Sequence, residues 1–265
     1  MLRRLFFDPR FSRWTAWLVP LLILAAWQGL SRLGVIPSRI LPAPTDVLDS
    51  AWKMLRSGEL LENILVSAQR AGWGFLAGGL AGFLLGLLNG ASRVAEVFLD
   101  TTIQMIRTLP LLAMIPLVIL WFGIGEPAKV FLVALSVFFP IYLNTFHGIR
   151  AIDPGLVEMA RVYGLGVRGL FWNVILPGAL PTILLGVRYA LGIMWLTLIV
   201  AETISATAGI GHMAMNAREF MQTDVIVLSI LLYALLGKVA DEFVKALERF
   251  LLPWHHTQRE AARTA

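Results

Sequence analysis

Several polar side chains stand where an otherwise apolar chain leaves little room for them. Gln104, Arg107, Asn144, Thr145, Arg188, Thr197 and Glu202 all fall within or at the ends of long hydrophobic runs. Polar groups inside a bilayer are costly and face cavities, partners or water. A set of hydrogen-bond donors with one or two guanidinium groups suits the passage of an anion between apolar walls. Gln104, Arg107, Asn144, Thr145, Arg188 and Thr197 are therefore the candidates for a translocation pathway. For Arg107 and Arg188 a second reading stands equally: near the membrane interface each can extend to lipid phosphates. Glu202, at the end of its run, reads as interfacial.

Catalytic chemistry has no comparable footing. No G-x-x-x-x-G-K-[ST] loop is present to cradle phosphates, and HExxH and GxSxG are missing. His147, His212, His255 and His256 have no spacing typical of a metal site, and the chain has no cysteine for a thiolate ligand, nucleophile or disulfide. No catalytic residue and no metal site is expected, and the chain does not read as an ATPase.

The most informative spacing lies in residues 150–182, RAIDPGLVEMARVYGLGVRGLFWNVILPGALPT, a long polar interruption between apolar runs. Asp153-Pro154 reads as an N-cap followed by proline at the first helical position. Gly164 and Gly166 supply a stop and a turn. A second short helix is expected from about Val167 to Ile175, ending before Pro177. Neither piece reaches the roughly 20 apolar residues that a crossing takes. Small residues and a turn let such a helix pair enter a groove on a partner. Glu158 either meets a cation there or caps its own helix.

Glu158, Met159, Ala160, Gly164, Val174 and Leu176-Pro177 follow the pattern E-A-A-x3-G-x9-I-x-L-P, with Met159 in place of the first alanine and Val174 in place of isoleucine. This resembles the cytoplasmic coupling-helix loop of bacterial ABC importer permeases. The resemblance implies that Glu158, Met159, Ala160, Gly164, Leu176 and Pro177 couple this chain to an ATPase subunit.

The elements that must hold these residues are membrane helices. The chain of 265 residues is 58% hydrophobic and 15% charged, with mean hydropathy +0.75; a soluble domain carries about 25% charged residues. An all-α polytopic protein with about six spans is expected: Ala16–Leu33, Ser67–Leu88, Leu99–Phe122, Ala128–Phe146, Ile183–Ala201 and Val225–Val239. The corresponding organisation is a tail over 1–15, a first span and amphipathic segment over 16–63, a core over 64–248 holding the 150–182 loop, and a C-terminal tail over 249–265. The segment Asp46 to Leu61 is expected as an amphipathic helix, on the membrane surface or against neighbouring helices. In the second span Gly74, Gly78, Gly82 and Gly86 recur every four residues, a smooth ridge for close helix packing within the subunit or at a dimer seam. Pro110 and Pro116 interrupt the third span. The polar break from Glu202 to Asp224 is a candidate external gate or receptor contact, with Met213, Met215 and Met221 as adaptable apolar surfaces.

The net charge of +5 reflects loop asymmetry and not nucleic acid. The N-terminal tail, the Arg93 turn, the 150–182 loop and the C-terminal tail together hold thirteen Lys or Arg residues, against six on the opposite loops. The richer set is expected in the cytoplasm, with both termini. The first residues lack a cleavage site and read as a retained tail.

The resemblance covers nearly the whole chain, Ile40 to Asp241. RILPAP, IPLVILWFGI, FPIYLNTFHGIR, VILPGALP, MWLTLIVAETI and MNAREFMQTDV look like the permeases of nitrate, sulfonate and taurine importers, with aliphatic sulfonate permeases as the best fit. It implies a type I importer permease in the bacterial inner membrane. A homodimer of this chain would work with two ATPase subunits, which carry ATP and Mg, and a periplasmic binding protein; the chain itself binds no cofactor. Taurine, nitrate or another small anion remains as an alternative cargo. An ion-coupled secondary transporter is the other class, opposed by the lack of Asp or Glu in the middles of the spans.

Overall fold

The computed structural model describes the backbone over residues 9–253 and side chains over 17–253, Ser205 excepted. The expected tails at 1–15 and 249–265 lie largely outside the described residues, as do His255 and His256. Among the described residues there are helices and turns but no strands.

Helix α1, Pro9–Arg32, carries the first expected span, and its Trp17, Leu18, Leu21 and Leu22 are exposed. It is tied to the Pro42–Asp46 stretch by Trp27 Nε1 donating to the Pro42 carbonyl at 3.0 Å and by Arg32 pairing with Asp46 at 3.0 Å. The amphipathic helix α2, Pro44–Ser57, is shorter than expected. Gly58, at φ +83°, turns the chain and starts α3, Glu59–Ala91, eight residues earlier than the expected second span. Val47 of α2 joins a core with Met213, Val225 and Leu228, so this helix lies against its neighbours.

The third span is not one helix. Arg93–Arg107, α4, and Leu111–Phe122, α5, meet at an 86° bend. Pro110 adopts extended backbone with φ −69° and ψ 109°, and Thr108 Oγ1 donates to the Met105 carbonyl at 2.7 Å as α4 ends. Proline has no N–H to carry the ladder across this point. Helix α6, Glu126–Arg150, then runs parallel to α3 and packs along it, Gly74 lying by Val133 and Gly90 by Ile149.

The α3–α6 seam is where the glycines act. A Cβ on Gly78 would sit 2.0 Å from the Ala134 carbonyl oxygen, and one on Gly82 2.5 Å from that of Phe138. Gly74 faces Val133, and Gly86 faces Tyr142 and Thr145. The ridge is thus spent within the subunit, where the two backbones approach too closely for any side chain.

Helix α7, Pro154–Val162, forms the loop helix. The next helix, α8, runs from Val167 to Ile204 without a stop, so the expected end before Pro177 is corrected. Phe171–Ile175 takes a π-helical turn. Pro177 in a plain α-helix would clash with the carbonyl four residues back, at Asn173; a π turn moves that carbonyl aside and lets the helix continue. Helix α9, Ile210–Glu219, is short, and α10, Thr223–Leu251, extends the sixth expected span at both ends. Among the described residues, α3, α6, α8 and α10 are long and apolar enough to cross a membrane, and the bent α4–α5 pair makes a fifth, broken crossing.

Candidate functional site

The loop between α6 and α8 is built by local chemistry. Asp153 Oδ1 accepts from the Gly155 N–H at 2.8 Å and so caps α7, leaving Glu158 without that task. Pro154 sits at the first helical position, where its missing N–H costs nothing. The helix ends at Gly164, whose φ of +79° lies in the left-handed region, and the Leu165 N–H returns to the Ala160 carbonyl at 3.0 Å. Ala160 is buried. Leu176 packs with Ile149, Ala179 and Ile183, which fastens the far end of the loop to α6.

The outward side of the loop is apolar and unpaired. Val162 and Val167 are each 86% exposed, and Met159, Tyr163 and Trp172 also lie open. Glu158 is exposed and makes no hydrogen bond or ion pair among the described residues. An exposed apolar edge of this composition, on a helix locked by its own caps, leaves surface that the chain itself does not cover.

The intramembrane candidates do not gather in one place. Arg107 lines an open cavity of about 320 Å³ at the α4–α5 bend, walled by α6 and α8. Gln104 sits one turn before it, 3.5 Å from Asp100 Oδ1. Asn144 donates to the Pro140 carbonyl at 2.8 Å and abuts Gly186 of α8. Thr145 is fully buried against Gly86, its hydroxyl without a partner. Thr197 is buried too. Arg188 donates to Asp241 of α10 at 2.7 Å, so its guanidinium is committed to an ion pair between helices. Arg107 stands apart from the others as a cation open to a cavity.

A second polar centre, at the end of α8 away from the loop, is not foreshadowed by the sequence. Glu202, expected at an interface, is fully buried. Its carboxylate accepts from Ser67 Oγ at 2.8 Å, Arg70 Nη1 at 2.8 Å, the Gly211 N–H at 2.8 Å and Tyr233 OH at 2.9 Å. Arg70 reaches on to Glu126 at 2.5 and 2.6 Å, and Lys129 also donates to Glu126 at 3.0 Å. Two carboxylates and two cations alternate, so the cluster is neutral and hydrogen-bonded throughout, the condition for burying charge. It joins α3, α6, α8, α9 and α10. Gly209 and Gly211 bring backbone within reach of the carboxylate; a Cβ on either would meet Glu202 atoms at 2.6 Å. Met213 lies in the core and only Met221 is widely exposed, so the Glu202 to Asp224 segment presents less apolar surface than expected.

Known proteins place this architecture. The chain matches the family model described as "Binding-protein-dependent transport system inner membrane component" over residues 74–252. A protein of Escherichia coli (strain K12) named as an aliphatic sulfonates transport permease is 60% identical over 90% of this chain and 91% of its own length. A taurine transport system permease protein of the same organism is 34% identical over 88% and 86%. Among solved structures, an amino acid ABC transporter chain aligns with TM-score 0.59 and 20% identity over 71% of this chain and 91% of that one, which shows a shared fold. With several helices long and apolar enough to cross a membrane and a family match over most of its length, the chain belongs to the inner membrane components of binding-protein-dependent transport systems.

Proposed function

We propose that this chain is the membrane-spanning subunit of an ATP-driven importer of aliphatic sulfonates. The observation that carries this reading is the 60% identity to a permease named for aliphatic sulfonates, well above the 34% to one named for taurine. Two copies form the pathway. Two ATPase subunits hold ATP and Mg, and a periplasmic binding protein delivers the solute. The arginine- and lysine-rich loops and both termini face the cytoplasm, which puts Glu158, Met159 and Gly164 where the ATPase works. ATP binding draws the α7 helices of the two copies together and opens the pathway outward; hydrolysis resets it. The docking edge of α7 supports this division of labour: its helix needs no partner to hold its shape, so its exposed groups are free to engage one.

The test is affinity purification of the detergent-solubilised protein from its native membrane, together with growth on alkanesulfonates as sole sulfur source. Co-purification of an ATPase and loss of growth on deletion are expected. A stable protein that recovers no ATPase and transports without one would overturn the proposal in favour of an ion-coupled carrier.

A further inference from the structure

The cavity at the α4–α5 bend has an unusual composition for a path that carries anions. Arg107 is its only charged residue, and the guanidinium makes no hydrogen bond or ion pair among the described residues. Ser136 also lines it, but its hydroxyl is spent on the Val133 carbonyl at 2.7 Å. The other walls are hydrocarbon and aromatic, among them Leu109, Met114, Phe139, Leu143 and Ile193. At about 320 Å³ the space lies at the small end of ligand sites.

One cation against apolar walls selects for a particular solute. Nitrate would use the cation and gain nothing from the walls. Sulfate would leave one charge uncompensated in apolar surroundings, which is costly. Taurine would lay its ammonium against hydrocarbon. A monoanion with an alkyl tail uses both features: the guanidinium fork binds two oxygens of the head group, and the tail leaves water for the wall.

We propose that the Arg107 cavity is the alkyl-anion subsite of the pathway, with Arg107 holding the sulfonate head and Phe139, Leu143 and Ile193 covering the tail. This rests on the importer reading and adds a residue-level basis for selecting tailed sulfonates inside the membrane, separate from whatever the binding protein selects. Burying a methylene contributes about 0.8 kcal/mol, or about fourfold in affinity, so affinity rises with chain length until the cavity is filled.

The experiment uses the assembled permease–ATPase complex in lipid nanodiscs without the binding protein. Equilibrium dialysis against radiolabelled hexanesulfonate, corrected with empty nanodiscs, measures the site directly. Saturable binding is expected, displaced by butanesulfonate more weakly and by ethanesulfonate, taurine, nitrate and sulfate progressively less or not at all. Arg107→Gln should weaken binding about 10- to 100-fold, the range for a charge-assisted hydrogen-bond pair, and Arg107→Lys should restore part of it by keeping the charge without the fork. Phe139→Ala should flatten the dependence on chain length. No saturable binding, affinity within twofold for Arg107→Gln in a complex that retains its ATPase, or displacement by nitrate as strong as by hexanesulfonate would overturn the proposal. Uptake into proteoliposomes with the binding protein separates the two levels. Wild-type complex that imports no sulfonate defeats the importer reading itself, whereas sulfonate import with an unchanged KM in Arg107→Gln defeats only the subsite.

Discussion

Arg70 of α3 and Glu202 of α8 meet at 2.8 Å with side chains 4% and 0% exposed, a buried ion pair 132 residues apart in sequence. Removing one partner of such a pair leaves the other charge buried and uncompensated, at a cost of about 3–5 kcal/mol. Arg70→Met and Glu202→Met should each lower the thermal unfolding midpoint of the purified protein sharply, and the double variant should lose less than the two losses added. Arg70→Met should also cost more than Glu126→Gln, because Glu126 is 55% exposed and water can replace its partners. Midpoints by static light scattering in detergent decide it; strictly additive losses would show that the pair is not coupled.

The α3–α6 seam gives a comparison within one helix. Gly78 and Gly72 belong to the same helix, yet a Cβ on Gly78 would lie 2.0 Å from the Ala134 carbonyl oxygen while one on Gly72 would meet nothing within 4 Å. Gly78→Ala must force α3 and α6 apart, with an overpacking cost of about 1–3 kcal/mol or more. Gly72→Ala should change stability by less than about 1 kcal/mol, the helix-propensity difference between the two residues. Folded yield by fluorescence-detected size exclusion, followed by thermal melts, measures both. Equal effects would contradict the close approach.

Much of this was legible because it is local. The four-residue glycine period, the Asp153-Pro154 cap and the Gly164 stop each depend on residues a few positions apart. The bend after Arg107 and the uninterrupted α8 depend on how a proline's missing donor is absorbed. At Pro110 the chain breaks by 86°, and at Pro177 a π turn carries it through. The two prolines look alike in sequence; the packing around them differs. The Glu202 cluster is further from reach. It assembles Ser67, Arg70, Glu126, Gly211 and Tyr233 from four other helices, and nothing near Glu202 in the chain announces four donors waiting for it.

Glu158 tests the proposed docking edge without touching the fold. It is exposed and unpaired among the described residues, and Asp153 already caps its helix. Glu158→Ala should therefore shift stability by no more than about 0.5 kcal/mol, as surface substitutions do. The amount of ATPase recovered with the purified protein should fall several-fold. Melting and co-purification on the same preparation check the two halves together, and a drop in stability equal to the drop in recovery would reduce the effect to misfolding.

Gly164 separates backbone from interface. Its φ of +79° disfavours any side chain, at about 1–2 kcal/mol for an ordinary L-residue, but asparagine and aspartate tolerate this conformation better than others. A Cβ there would meet nothing within 4 Å. Gly164→Asp should therefore insert and fold, while placing a new charge on the turn between two exposed valines, Val162 and Val167. ATP-dependent uptake in proteoliposomes should be abolished with membrane insertion intact. Gly164→Asn, with nearly the same shape and backbone tolerance but no charge, distinguishes the causes. Restored uptake in the asparagine variant assigns the loss to charge at the docking edge, and loss in both assigns it to the volume of a side chain where only glycine leaves room for the partner. Wild-type uptake by both variants would mean that this turn does not meet the ATPase.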